Sequence, residues 1–234
     1  MSEPVRFPEL DALRGLAILL MVLYHTAFDL QYFYGWDVNV FSGGWRVLAR
    51  ISAILFLLIA GICAAISWER TPRKHRWQKI VKRFAILAGA ATLVSFATWL
   101  IAPEDFVKFG ILHLFAIATL LLPLFAPLKH WNGPIGLLMI LLSLYPLPTT
   151  HYSLLMILLG FPPPHFSSLD YFPLLPWFGV LLLGTATSYI LYLPSKRFPL
   201  PIPSPNILQW AGRHSLTLYL LHQPALMSIL NLLQ

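Results

Sequence analysis

Apolar positions in this chain come in blocks rather than in alternation. Runs of Leu, Ile, Ala, Phe and Val, each about 20 residues long, are separated by short polar or Pro-containing breaks. A run of that length without period-2 alternation predicts a helix able to cross a hydrocarbon core about 30 Å thick. Seven spans are predicted: Leu10–Leu30, Gly44–Trp68, Ile80–Ile101, Phe109–Pro127, Gly133–Leu147, Tyr171–Leu193 and Arg213–Leu232. The fifth is short and ends in Tyr145-Pro146-Leu147-Pro148. The apolar stretch Tyr152–Phe161 after it is too short to cross, which predicts an interfacial or re-entrant piece. Pro162-Pro163-Pro164 and the run from Pro194 to Pro205 mark loops. The expected fold class is an all-α integral membrane protein, a bundle of about seven transmembrane helices forming a single domain over residues 1–234.

Composition agrees with the pattern. Hydrophobic residues make up 58% of the 234 and charged residues only 11%, where a soluble domain carries about a quarter; mean hydropathy is +0.71. The N-terminal stretch does not read as a cleavable signal. Glu3, Glu9 and Asp11 occupy the place of a positive region, and no small-residue cleavage site follows the run from Leu16, so this stretch is expected to stay as the first span. The lone Cys63 excludes an internal disulfide and a cysteine-built metal site, and its apolar setting predicts a buried, inert thiol.

The formal net charge of +7 raises nucleic acid as a partner, and its distribution argues against that. Seven of the sixteen Lys and Arg residues lie between Arg70 and Arg83: Arg70, Arg73, Lys74, Arg76, Lys79, Lys82 and Arg83. A basic cluster beside a span is first a topology signal and second a site for anionic head groups or ligands. With the N-terminus in the cytoplasm, the inner side holds thirteen basic residues: Arg6, Arg14, those seven, Lys129, Lys196, Arg197 and Arg213. The outer side holds three, Arg46, Arg50 and Lys108, together with Asp29, Asp37, Glu104, Asp105 and Asp170. This asymmetry predicts a multi-pass protein of the cell membrane with a cytoplasmic N-terminus.

Ionisable groups inside spans are costly, so each is a candidate for function. Arg14 and His25 are eleven residues apart on the first span, a rotation of about 20° beyond three turns, which places them on one face about 17 Å apart along the axis. Asp29 follows His25 at i+4, where its carboxylate is expected to orient the imidazole as a general base. The alternative is that these three residues only pack neighbouring helices together. His113, in Gly110-Ile111-Leu112-His113, is expected at a similar depth, and Asp170 at the outer boundary of the sixth span. His222 lies near the middle of the last span, where Pro224 frees a backbone carbonyl close by. These His and Asp side chains are predicted to converge in the outer half. No local ligand spacing supports a metal. Arg46 and Arg50, at i and i+4, are placed either to snorkel or to clamp an anionic acceptor. Towards the inner side, Arg14, the Arg70–Arg83 loop and Arg213-His214 offer positive charge to a phosphorylated ligand from the cytoplasm.

The opening Glu9-Leu10-Asp11-Ala12-Leu13-Arg14-Gly15-Leu16-Ala17 followed by Tyr24-His25 resembles that of the transmembrane acyltransferases. More narrowly, Asp170-Tyr171-Phe172-Pro173-Leu174-Leu175-Pro176-Trp177-Phe178-Gly179 and Gly212-Arg213-His214-Ser215-Leu216-Thr217-Leu218-Tyr219-Leu220-Leu221-His222-Gln223-Pro224 resemble the bacterial heparan-α-glucosaminide N-acetyltransferase-like proteins; Gly110–His113 and Phe56–Gly61 fit them too. The resemblance implies an acyltransferase that takes acyl-CoA, most simply acetyl-CoA, from the cytoplasm and passes the acyl group to a sugar-like hydroxyl or amine held near the opposite face. It implies that His25 sits at the transfer site and Arg14 near the CoA arm; the residue pattern itself adds catalytic roles for Asp29, His113 and His222, donor contacts from Arg213 and His214, acceptor contacts from Arg46, Arg50 and Asp170, and no metal. Lysosomal members use a histidine farther along, and Gly35-Trp36-Asp37 offers none here, which leaves His25 as the expected base. The expected partners are acyl-CoA, a sugar-like acceptor and the lipid bilayer, without nucleic acid; a homo-oligomer is compatible with the sequence. The rivals are a transporter of a small polar solute using the same histidines as a proton relay, and a non-catalytic subunit carrying a basic loop.

Overall fold

The computed structural model describes residues 6–145, 153–193 and 205–232, and it is helical throughout. The helices are α1 (Pro8–Tyr32), α2 (Gly43–Arg70), α3 (Arg73–Ile101), α4 (Ile111–Phe125), α5 (Asn132–Leu142), α6 (Leu154–Leu159), α7 (Leu174–Leu191), α8 (Asn206–Arg213) and α9 (Ser215–Leu232), with a 3-10 turn, Ala126–Trp131, between α4 and α5. Among the described residues there is no strand, only an isolated parallel bridge between Phe109 and Tyr171. Tyr152, the Pro146-Leu147-Pro148 sequence, the Pro-rich stretch 194–204 and the basic pair Lys196-Arg197 lie outside the described residues.

Local chemistry sets where several helices begin and end. Pro8 opens α1, its missing N–H being one the first turn would leave unpaired in any case, and Glu9 and Asp11 sit at the positive end of the helix dipole. Helix α3 begins at Arg73, well before the predicted Ile80, because Arg, Lys and Gln are good helix formers and extend the helix beyond its apolar part.

Among the described residues five helical segments are long and apolar enough to cross a membrane: α1, α2, α3, α7 and the joined stretch Ile111–Leu142. The predicted fourth and fifth spans therefore appear as one helical stretch broken by the 3-10 turn, where Lys129 takes φ 51° and ψ −120°. With 15 residues in α4 and 11 in α5, neither piece alone has the roughly 20 residues a crossing needs. Asn132 closes the turn by donating from Nδ2 to the Phe125 and Lys129 carbonyls, each at 2.9 Å. The predicted seventh span divides at His214 into the end of α8 and all of α9. Helix α9, polar at His222, Gln223 and Asn231, is not one of the five. The short apolar piece predicted after the fifth span is α6, which ends at Gly160 in a left-handed conformation, φ 110°. In α3 only 11% of the apolar window is buried, and Trp99, Leu100 and Ile101 face outward, as lipid-facing residues do.

The chain divides into two compact units, Met1–Ile59 with Phe198–Gln234, and Ala60–Arg197. In the first, α1 packs on α8 and α9. The approach to α8 is close because Gly15 lies against the Leu208 carbonyl and Gly212 against that of Asp11; a Cβ at either glycine would meet backbone. Ser52 donates to the Ala17 carbonyl at 2.9 Å and ties α2 to α1. In the second unit α7 is the central element, packing on α4, α5 and α6, while α3 packs on α4. Leu114, Leu182, Thr185 and Ser188 form its fully buried centre.

Candidate active site

In the first unit the stripe on α1 meets α9. The rings of His25 and His222 lie 4.9 Å apart at 60°, and His25 also packs edge-on against Tyr24 and Phe28. His222 Nδ1 is 2.6 Å from the Tyr219 carbonyl, which only accepts, so the proton sits on Nδ1 and Nε2 presents a lone pair. Among the described residues that buried Nε2 has no hydrogen-bond partner. One turn along α1, the fully buried Asp29 accepts through Oδ1 a hydrogen bond from Gln223 Nε2 at 2.6 Å; Asp29 Oδ2 and Gln223 Oε1 are buried and have no partner among the described residues. Asp29 was expected to orient His25, and the partner found is Gln223 instead. The His25 ring is turned onto His222, and the short carboxylate reaches across to the amide on α9. The result is three buried atoms with free lone pairs beside an imidazole, a setting that receives a hydrogen-bond donor or a proton.

Farther along α1, Arg14 Nη1 lies 3.2 Å from Asp11 Oδ1 and 3.2 Å from the Gly212 carbonyl. Arg213 follows that carbonyl and donates from Nε to the Gln209 carbonyl at 3.2 Å. His214, at the break between α8 and α9, has Nδ1 2.9 Å from the Trp210 carbonyl and its ring 4.8 Å from that of Trp210. Arg14, Arg213 and His214 thus gather where α1 crosses the end of α8. Arg46 and Arg50 are exposed on the first turns of α2.

His113 and Asp170 lie in the second unit, and each hydrogen-bonds the backbone at the start of α4. Asp170 Oδ2 accepts from the Ile111 N–H at 3.0 Å, so this aspartate caps α4 from 59 residues away. His113 Nδ1 accepts from the Gly110 N–H at 3.2 Å, which leaves its proton on Nε2, 3.4 Å from Ser95 Oγ; Ser95 in turn donates to the Val107 carbonyl at 2.6 Å. Both ring nitrogens of His113 are therefore engaged in holding the loop before α4. His25 and His222 thus belong to the first unit, and His113 and Asp170 to the second.

The basic stretch also acquires a shape in the second unit. Arg76, Lys79 and Arg83, at i, i+3 and i+7 of α3, line the mouth of a slot whose body is formed by α2, α4 and α7. Thr71, at the turn between α2 and α3, is buried and organises two of the cations: its carbonyl accepts from Arg76 Nε at 3.1 Å and its hydroxyl accepts from Lys79 Nζ at 3.0 Å. Gln223 and Thr71 are the two residues that the sequence reading passed over. Gln223 carried a signal, an amide beside a histidine within a span. Thr71 carried none, since its role depends on a turn. Among the described residues no group of His, Cys, Asp and Glu is arranged to hold a metal ion.

Neither the curated proteins nor the solved structures include a match to this chain. A family model does match: heparan-alpha-glucosaminide N-acetyltransferase, catalytic, aligns with residues 6–224, from the start of α1 into α9 and thus across both units. With its apolar helices and a match over nearly its whole length, the chain is a multi-pass membrane protein and belongs to the heparan-alpha-glucosaminide N-acetyltransferase catalytic family of membrane acetyltransferases.

Proposed function

We propose that this protein transfers an acetyl group from acetyl-CoA to a hydroxyl or amine of a sugar-like acceptor, with His25 as the general base. The observation that carries the reading is the contact of His25 with His222 beside the buried Asp29–Gln223 pair. His25 takes the proton of the attacking O–H or N–H as the new bond to the thioester carbonyl carbon forms. The C–S bond then breaks, and the same proton passes to the departing CoA sulfur. While His25 is protonated, the Nε2 lone pair of His222 accepts a hydrogen bond from it, and the Asp29 carboxylate one turn away favours its positive charge. What supports His222 in this role over His113 is that both nitrogens of His113 are already engaged. Arg14, Arg213 and His214 are proposed donor contacts, and Arg46 and Arg50 proposed acceptor contacts. Asp170, as a helix cap, is assigned a supporting role.

The proposed setting is the cell membrane, with a cytoplasmic N-terminus and the donor arriving from the cytoplasm. Exclusion of water by the surrounding helices would protect the thioester from hydrolysis. The test is His25→Ala in purified protein. Transfer should fall by at least about a hundredfold, the lower range for loss of a general base, while elution and melting stay as in the wild type. Turnover near the wild-type rate would remove His25 from the mechanism.

A further inference from the structure

The slot in the second unit has two chemically distinct parts. Its body is largely apolar, with Ala60 and Ala64 on α2 and Ala118 on α4 beside Phe115, Leu122 and Leu181. From Thr71 back to Ala60, the lining face of α2 runs for about 16 Å. Its mouth is cationic, formed by Arg76, Lys79 and Arg83.

The mouth is also ordered. The Thr71 hydroxyl donates to the Ser67 carbonyl at 2.5 Å, so a lone pair is what it offers to Lys79. The Arg76 guanidinium stacks on Trp68, 4.3 Å from the ring centroid, with Nε tied to the Thr71 carbonyl. Its two Nη groups make no hydrogen bond among the described residues, which leaves the planar fork that matches two oxygens of a phosphate. Glu69, the one acid between Trp68 and Arg83, accepts a hydrogen bond from the Tyr189 hydroxyl at 2.7 Å. Basic residues placed only to set topology need neither an ordered fork nor a slot behind them.

We propose that this slot binds a phosphate-headed amphiphile with a thin chain, the phosphate on Arg76 and Lys79 and the chain along the alanine-lined wall. Two molecules share that chemistry. One is CoA, with its phosphates and pantetheine arm; the other is an anionic phospholipid. The inference rests on the acetyltransferase reading only in naming the first of these, because the slot lies wholly within residues 60–197.

The experiment measures equilibrium binding to the full-length protein in phosphatidylcholine nanodiscs, with no transfer required. The probes are CoA, phosphatidylglycerol, and pantetheine as the chain without phosphates. CoA or phosphatidylglycerol is expected to bind far more tightly than pantetheine. Arg76→Gln and Lys79→Gln should each weaken that binding by about tenfold or more, the loss expected for one charge-assisted hydrogen bond. Arg76→Lys, which keeps the charge and loses the fork, should weaken it as well. Ala64→Leu should do the same by filling the slot. Lys74→Gln removes the same charge from an exposed residue that does not line the slot, and should change binding by no more than about twofold. Variants are compared after monodisperse elution, and Arg76→Gln and Lys79→Gln stand in for each other if one fails to fold. Binding of CoA assigns the slot a part in holding CoA, whereas binding of phosphatidylglycerol alone assigns it to lipid and leaves the donor to Arg14, Arg213 and His214. If neither probe binds, or if Lys74→Gln weakens binding as much as Arg76→Gln and Lys79→Gln do, the proposal is overturned. Loss of transfer in His25→Ala with CoA binding intact separates the fate of this site from that of the proposed chemistry.

Discussion

A buried carboxylate without a cation is an expensive group, and among the described residues Asp29 has Gln223 alone to offset it. Gln223→Leu removes that hydrogen-bond donor and should destabilise the protein by about 1–3 kcal/mol, read as a lower melting temperature in detergent. Asp29→Asn should do the opposite: an amide still pairs with Gln223, so melting changes little while transfer falls, because the negative charge beside His25 is gone. An Asp29→Asn protein as active as the wild type would show that the charge is not used. The polar residues of this cluster were visible in the sequence because ionisable groups in an apolar run stand out. Their pairing was not. Helical spacing fixes which residues share a face of α1, but not that Asp29 turns to an amide nearly two hundred residues away while His25 turns to a histidine. The same limit applies to Asp170, whose sequence neighbours give no sign that it caps α4.

At the scale of elements, α1 carries both Arg14 and His25, so their spacing is a ruler as well as a shared face. Inserting one Ala after Leu19 rotates His25 by about 100° relative to Arg14 and lengthens the helix by only about 1.5 Å. Transfer should collapse in that variant, while apolar exchanges at Ile18, Leu19 and Leu20 are tolerated; transfer is compared once each protein is shown to insert and elute normally. An insertion mutant that keeps transferring would sink the shared-stripe argument. Lengths and positions of α1, α2, α3 and α7 were legible because an apolar run of membrane length has few other folds open to it. The breaks were less so. Lys129 in a left-handed conformation and the interruption at His214 are set by contacts that no hydrophobic pattern records: the Asn132 amide on the Phe125 and Lys129 carbonyls, and the Trp210 carbonyl against the His214 ring. The chemistry of α8 depends on Gly15 and Gly212, where the absence of a Cβ lets α1 and α8 approach closely enough for Arg14 to reach the Gly212 carbonyl.

At the scale of the molecule, the charge distribution of thirteen basic residues against three predicts that the N-terminus is cytoplasmic and, with seven crossings, that the C-terminus lies outside. Among the described residues five segments meet the length and apolarity of a span; the seven predicted crossings require α9 and separate crossings by α4 and α5, each shorter than an ordinary span, whereas one crossing by the joined Ile111–Leu142 stretch would give six with α9. Single cysteines at Ser2 and Gln234 in a Cys63→Ala background answer the question: a membrane-impermeant thiol reagent applied to intact cells should label only the second. Labelling of both ends from one side would require an even number of crossings.

In the proposed reaction thioester consumption and acceptor modification are one event. The most direct measurement reconstitutes the purified protein in vesicles with labelled acetyl-CoA and glucosamine, and counts free CoA thiol and acetylated sugar in the same samples. The two should rise together, one for one, and neither should rise with His25→Ala. Movement of glucosamine across the vesicle membrane with no thiol released would contradict the proposed reaction, and would make the protein a carrier rather than a transferase.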